Sequence, residues 1–270
     1  MRPSRLKASV DYRFRLATGS LRKRPDFLIV GAAKAGTTSL YFHLLEHPQI
    51  WAASRKEVHF FDVNYARGGR WYQSHFPLRS RMKSGLTGEA SPYYLFHPHA
   101  AERIAASPDS PKIIVLLRDP VRRAYSHFQH HVRCNWEQLS FADAIVREAE
   151  VLPLELEKMR ADSAYHSVFH RLRSYVSRGC YAEQLQAYFV HLPRERILIL
   201  RSEDFFADPQ AIYSQVLRFL GIDQWRLDAS RIYNIGRYEK GPIPDEAALR
   251  AYFEPHNRDL YALIGRDMGW

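Results

Sequence analysis

The segment FLIVGAAKAGTTSLYFHLLEH, Phe27 to His47, decides most of what this chain can become. Phe27 to Val30 is a short apolar run of the kind that fits a strand buried on both faces. Thr38 to His47 carries the 3.6-residue periodicity of a helix through Leu40, Leu44 and Leu45. Gly31 and Gly36 frame a loop between them, giving a strand, a glycine loop and a helix. Backbone N–H groups in such a loop, followed by a helix N-terminus, form a concavity for an anion. The loop of nucleotide triphosphatases reads G-x-x-x-x-G-K-S/T. Here Thr37 occupies the lysine slot and Lys34 lies inside the loop, so the phosphate-bearing ligand meets its lysine from a different place.

The pattern recurs. Lys112 to Leu117 (KIIVLL) reads as a buried parallel strand, followed by a helix from Pro120 to about Val132. Ile197 to Leu200 (ILIL) precedes a helical segment from about Asp208 to Leu220. Strands alternating with helices predict an α/β fold: a P-loop-like, three-layer arrangement whose central, mainly parallel sheet is flanked by helices, with ligands at the carboxyl ends of the strands. A length of 270 residues with 46% hydrophobic content suits one domain, residues 26–270, after a basic arm over residues 1–25 that is expected to be flexible. Two segments, Ile50 to Pro77 and Gly88 to Pro98, are expected to build a site rather than the scaffold. A loop from Gly236 to Pro244 (GRYEKGPIP) is of the kind that closes over a ligand, and helical patterns follow over Asp245 to Phe253 and Pro255 to Ile264.

The 39 Lys and Arg against 29 Asp and Glu give a formal net charge of +10, which favours an anionic ligand. Nucleic acid is not expected, since the basic residues are spread along the chain and no zinc-finger spacing or basic heptad appears. Cys134 and Cys180, the only cysteines, are expected to be free thiols, although one bridge between them is compatible with the sequence. No apolar run reaches signal-peptide or membrane-span length, so the expected location is cytoplasmic. The second strand ends in Arg118 and Asp119, with a positive charge where a metal-holding carboxylate would stand in a triphosphatase, and no metal is expected.

GAAKAGTTSL resembles the 5′-phosphosulfate loop of sulfotransferases that use 3′-phosphoadenylyl sulfate (PAPS), and LLRDPVRRAYSHF, Leu116 to Phe128, resembles their 3′-phosphate motif. The resemblance extends to the glycosaminoglycan branch typified by the heparan sulfate glucosamine sulfotransferases. It runs through SRKEVHFFD, GRWYQSHFP, EASPYY, KGPIP and FEPHNRDLYALIGRDMGW, in matching order from Asp26 to Trp270. It implies PAPS as the sulfuryl donor. Lys34 would neutralise the leaving phosphate, and Lys34, Ala35, Gly36, Thr37 and Thr38 would form the 5′-phosphate loop. Arg118 and Ser126 would grip the 3′-phosphate, and Lys240 and Gly241 would close over it. Pro242 replaces the arginine of the family's K-G-R loop, leaving that contact to Arg237 or reduced.

An alcohol acceptor must lose a proton to a base within hydrogen-bond reach. The resemblance makes Glu57 that base and gives His59 a catalytic part, with Lys56 and Asp62 as supporting acceptor-side residues. The alternation Glu57, His59, Phe61 predicts one face of an extended segment. Trp71, Tyr93 and Tyr94 are candidate acceptor contacts, although aromatic residues of this kind more often pack walls and cores. Heparan-type enzymes have a lysine after the glutamate of E-K-S/T-P; this chain has Ala90, which points to another glycan or a small hydroxylated molecule as acceptor. Two rival functions remain at this level: an ATP-dependent phosphotransferase, and a non-catalytic module binding polyanions.

Overall fold

The computed structural model describes residues 5–82, 84–108, 110–228 and 241–270. Five strands, β1 (Phe27–Gly31), β2 (Ile50–Ala52), β3 (Leu86–Ala90), β4 (Lys112–Leu117) and β5 (Ile197–Arg201), form one sheet in the order β2-β3-β1-β4-β5. All pairings are parallel. β1 takes the centre because its residues are apolar on both faces: Phe27, Leu28, Ile29 and Val30 are each 0% exposed. At about 1.5–3 kcal/mol per fully buried large apolar side chain, this run anchors the middle of the sheet. Its register with β4 shifts between Ile29 and Gly31, where the glycine loop begins.

The helices are α1 (Arg5–Ala17), α2 (Thr37–Leu44), α3 (Gly68–Gln73), α4 (Ala100–Ala105), α5 (Pro120–Arg133) and α6 (Phe141–Ala161). They continue with α7 (Val168–Leu172), α8 (Tyr181–His191), α9 (Ser202–Ala207), α10 (Pro209–Leu220) and α11 (Glu246–Ile264). α2 packs on β1, β3 and α10, while α8 joins α4 and α11, so the sheet is covered on both faces. The predicted α/β architecture is the observed one. α5 starts where the sequence places it: Pro120 fits the first turn, and the Asp119 carboxylate accepts from the N–H groups of Val121 and Arg122 at 2.9 and 3.3 Å.

Three expectations change. β2 lies within one of the segments read as site-building, and β3 runs into the other, ending at Ala90. The two C-terminal helical patterns are one helix, α11, with Pro255 inside it; Leu249, Phe253, Asn257 and Leu260 are its buried positions, and packing on α8 and α5 holds it together across the lost N–H bond. The segment read as a flexible arm contains α1, and after it Arg22 is buried, its Nη1 donating to the Phe76 carbonyl at 2.8 Å and its Nε to Thr18 Oγ1 at 3.0 Å. Cys134 is exposed and Cys180 buried, both as free thiols.

Candidate active site

The glycine loop leaves β1 and enters α2. A side chain at Gly31 would put its Cβ 2.5 Å from the Leu95 Cβ, so the close approach of the β3–α4 connection requires glycine there. Gly36 enters the helix at φ 96°, in the left-handed region that glycine occupies without penalty. Lys34 adopts φ 71°, a cost for a residue with a Cβ. The neighbouring strand ends hold the loop in place. Arg118, after β4, donates Nη1 to the Lys34 carbonyl at 2.9 Å, and Ser202, after β5, donates its hydroxyl to the Ala35 carbonyl at 2.8 Å. Thr37 is buried and Thr38 half-buried at the start of α2, where backbone N–H groups have no partner within the helix.

Burial lowers the Lys34 ammonium to about 8, and the positive charges of Arg133 and Arg118 push in the same direction. No carboxylate pairs with Arg118 among the described residues; Asp119 caps α5 and faces Arg250 and Arg122. Tyr181 fixes the Arg118 backbone by donating to its carbonyl at 2.8 Å. Ser126 is buried on α5, the helix that also carries Arg123 and Arg133 toward Lys34. The result is a concentration of positive charge around the glycine loop. Lys240 lies outside the described residues, and so does Arg237; Gly241 is exposed.

The second group follows β2. The Lys56 ammonium sits 2.5 Å from Glu57 Oε1, Glu57 Oε2 is 3.2 Å from His59 Nε2, and His59 Nδ1 is 2.6 Å from Asp62 Oδ2. Asp62 is 0% exposed, and Arg103 fixes that turn by donating to the carbonyls of Phe61 and Asp62 at 3.0 Å. Burial alone would lower the His59 imidazole, but its hydrogen bonds to Asp62 and Glu57 raise it to about 10. Burial alone would raise Glu57, but His59 and Lys56 bring it down to about 2. His59 is therefore an imidazolium held between two carboxylates.

The extended reading of Glu57 to Phe61 does not hold. His59 has φ 56°, which breaks the alternation, so Glu57 and His59 meet while Phe61 turns into the core at 1% exposure. Trp71 and Tyr94 are core residues, and Tyr93 is buried with its hydroxyl 2.7 Å from His170 Nδ1. All three are wall and core packing, the alternative left open by the sequence, since their rings are enclosed by neighbouring aromatic residues.

Sequence reasoning gave no role to Glu89, at the end of β3. This buried carboxylate accepts from the Val58 N–H at 2.9 Å, Tyr72 and Tyr94 hydroxyls at 2.8 Å each, and Ser91 Oγ at 2.6 Å. Ser91 Oγ in turn accepts from the His59 N–H at 3.1 Å, and the Lys56 carbonyl accepts from the Ala90 N–H at 2.9 Å. Glu89 thus pins the segment that carries Glu57 and His59. The segments that leave the carboxyl ends of the five strands carry Lys34, Glu57, His59, Asp62, Ser91, Arg118 and Ser202. Among those residues, no group of three or more His, Cys, Asp or Glu side chains is placed to hold a metal ion. No described helix is long and apolar enough to cross a membrane.

The sulfotransferase domain family matches residues 24–233. A human heparan sulfate glucosamine 3-O-sulfotransferase 6 is 31% identical, covering 94% of this chain and 76% of that protein. A membrane-associated sulfotransferase, kil1, of Dictyostelium discoideum is 28% identical over 93% of this chain and 68% of its own length. The chain spans 65% of the mouse heparan sulfate glucosamine 3-O-sulfotransferase 3B1 and 22% of a human bifunctional heparan sulfate N-deacetylase/N-sulfotransferase. Among solved structures, a sulfotransferase from Alicyclobacillus acidocaldarius superposes with a TM-score of 0.71 at 32% identity, covering 91% of this chain and 97% of that one. The glycine loop with its internal lysine, the arginine at the next strand end and the match over most of the length lead to one conclusion: the chain belongs to the sulfotransferase family.

Proposed function

We propose that the chain transfers the sulfuryl group of PAPS to a hydroxyl of a glycan or small-molecule acceptor, with Glu57 as base. The observation that carries this reading is the half-buried Lys34 ammonium, set in the glycine loop and flanked by Arg118 with no neutralising carboxylate among the described residues. PAPS supplies a sulfuryl group on a phosphate leaving group and a 3′-phosphate that distinguishes it from ordinary adenine nucleotides. The residues fit both anionic parts. The N–H groups of Gly36, Thr37 and Thr38 at the start of α2 suit the 5′ side, and Arg118 with Ser126 suits the 3′ side.

In an in-line displacement, Glu57 accepts the proton that the acceptor oxygen loses as that oxygen bonds to sulfur. Lys34 stabilises the charge that builds on the bridging oxygen as its bond to sulfur breaks. His59, held by Asp62, orients Glu57 and keeps it ionised. Positioning and fixed charge then carry most of the catalysis. Ala90 in place of a sugar-contacting lysine argues for an acceptor other than heparan sulfate.

Calorimetric titration with adenosine 3′,5′-bisphosphate, AMP and ATP, without magnesium, tests the donor. Selective binding of the bisphosphate supports PAPS; equal binding of AMP removes the 3′-phosphate site and the donor assignment with it.

A further inference from the structure

We propose that the amino-terminal edge of the sheet carries a second anion site, separate from the glycine loop, for a ligand bearing two or more phosphate or sulfate groups. A cleft of about 450 Å³ opens there, within the size range of small-ligand sites. Its walls come from residues just before the strands: Lys23 and Arg24 before β1, Lys112 at the start of β4, Arg196 before β5, with Arg79 from the turn preceding β3. Among the described residues of this lining, Asp26 is the one carboxylate.

The five cations do not share the same fate. Lys23 spends its ammonium on both Asp26 oxygens at 2.9 Å and on the Gly85 carbonyl at 3.0 Å. Lys112 donates to the carbonyls of Phe219 and Leu220 at 2.5 and 3.2 Å. These two lysines are structural. Arg79 donates Nε to the Arg22 carbonyl at 3.2 Å, and no carboxylate pairs with Arg79 or Arg196 among the described residues. The Arg196 Nε is buried and has no hydrogen-bond partner. Asp26 is already engaged by Lys23, so among the described residues no carboxylate of the cleft is left for the guanidinium groups of Arg79 and Arg196.

A planar guanidinium presents paired donors that match the oxygens of phosphate and sulfate. Arg79 and Arg196 arise from two separate segments around one opening, which suits two oxyanion groups on a single ligand. The glycine loop lies at the other end of β1, roughly 15 Å away at about 3.3 Å per residue. A ligand in the cleft therefore does not share the groups that serve the donor.

Pyrophosphate is the probe, titrated calorimetrically into the full chain carrying Lys34→Ala so that the glycine loop does not compete. One binding event is expected, weakened on the order of tenfold by Arg196→Gln and again by Arg79→Gln, the weight of one charge-assisted hydrogen bond each. Arg79 is exposed, so its variant keeps the fold even if Arg196→Gln does not. Absence of binding in the Lys34→Ala background, or binding indifferent to both arginine substitutions, overturns the proposal. Sedimentation with vesicles rich in anionic phosphate headgroups, against neutral vesicles, separates the two sources of such groups. Vesicle binding lost with Arg79→Gln assigns the cleft to a lipid headgroup, and pyrophosphate binding without vesicle binding assigns it to a soluble ligand.

Discussion

Lys34→Met should stabilise the protein while abolishing turnover. Burial, then the nearby charges of Arg133 and Arg118, hold the Lys34 ammonium at about 8 instead of 10.5. At about 1.36 kcal/mol per pH unit, the charged side chain costs the folded chain roughly 3 kcal/mol, an upper figure because the group is only partly buried. Methionine keeps the length and flexibility of the stem without the charge. It adopts the same φ of 71° at the same backbone cost, and the Arg118 contact survives because it goes to the Lys34 main-chain carbonyl. The sign with pH follows from proton counting. Between about 8 and 10.5 the folded chain binds fewer protons at Lys34 than the unfolded chain, so wild-type stability rises with pH in that window. Urea denaturation at about pH 7 should show the variant ahead by roughly 1–3 kcal/mol, with the gap closing as pH approaches about 10.5. A variant less stable than wild type, or a gap independent of pH, refutes the account of Lys34 as an uncompensated buried charge.

Four further outcomes are expected. Glu57→Gln lowers kcat by about 10²–10⁴-fold while leaving bisphosphate binding unchanged; near-normal turnover removes Glu57 as the base. Arg118→Ala weakens adenosine 3′,5′-bisphosphate by about 10–100-fold and AMP much less, and equal losses measured by calorimetry would disprove a 3′-phosphate role. Glu89→Gln turns an amide toward four donors and costs about 2–4 kcal/mol in urea denaturation, with a loss under about 1 kcal/mol counting against the hub. His59→Gln removes the main group that holds Glu57 at about 2, so the Glu57 carboxyl, followed by NMR titration, moves up toward its usual range. Because a base works only when deprotonated, the acid limb of kcat/KM should move up with it, and a fixed limb would detach Glu57 from the proton transfer.

β1 and β4 were legible because strands buried on both faces must be apolar throughout, and β5, a half-buried edge strand, because its short apolar run bounded by charge has few other uses. β2 and β3 were not. β2 is IWA, with two exposed residues, and β3 is LTGEA, whose glutamate contradicts any local rule for a buried strand. Glu89 is tolerated there because its donors come from Val58, Tyr72, Ser91 and Tyr94. Two of these are 31 and 17 residues away, beyond any sequence window. Lys34, Arg118, Glu57 and His59 were legible as types in motifs, but the left-handed turn at His59 that brings its ring to Glu57 depends on tertiary contacts. For the same reason Trp71, Tyr93 and Tyr94 looked equally suited to stacking a ligand or filling a wall, and only their enclosure decides the matter.

The two halves of the site handle charge in opposite ways. Around Lys34, cations accumulate with no carboxylate among the described residues, and in the proposed function an anion from outside completes that half. Around Glu57, Lys56, His59 and Asp62 balance one another, and a carboxylate held at about 2 is a weak base. In the proposed transfer that weakness carries little penalty. The acceptor hydroxyl becomes strongly acidic only as its oxygen bonds to sulfur, so the proton leaves late and toward whatever acceptor is already aimed at it. His59 and Asp62 therefore serve by keeping Glu57 ionised and oriented rather than by raising its basicity, and the charges that stabilise the departing phosphate stand in place before the reaction begins.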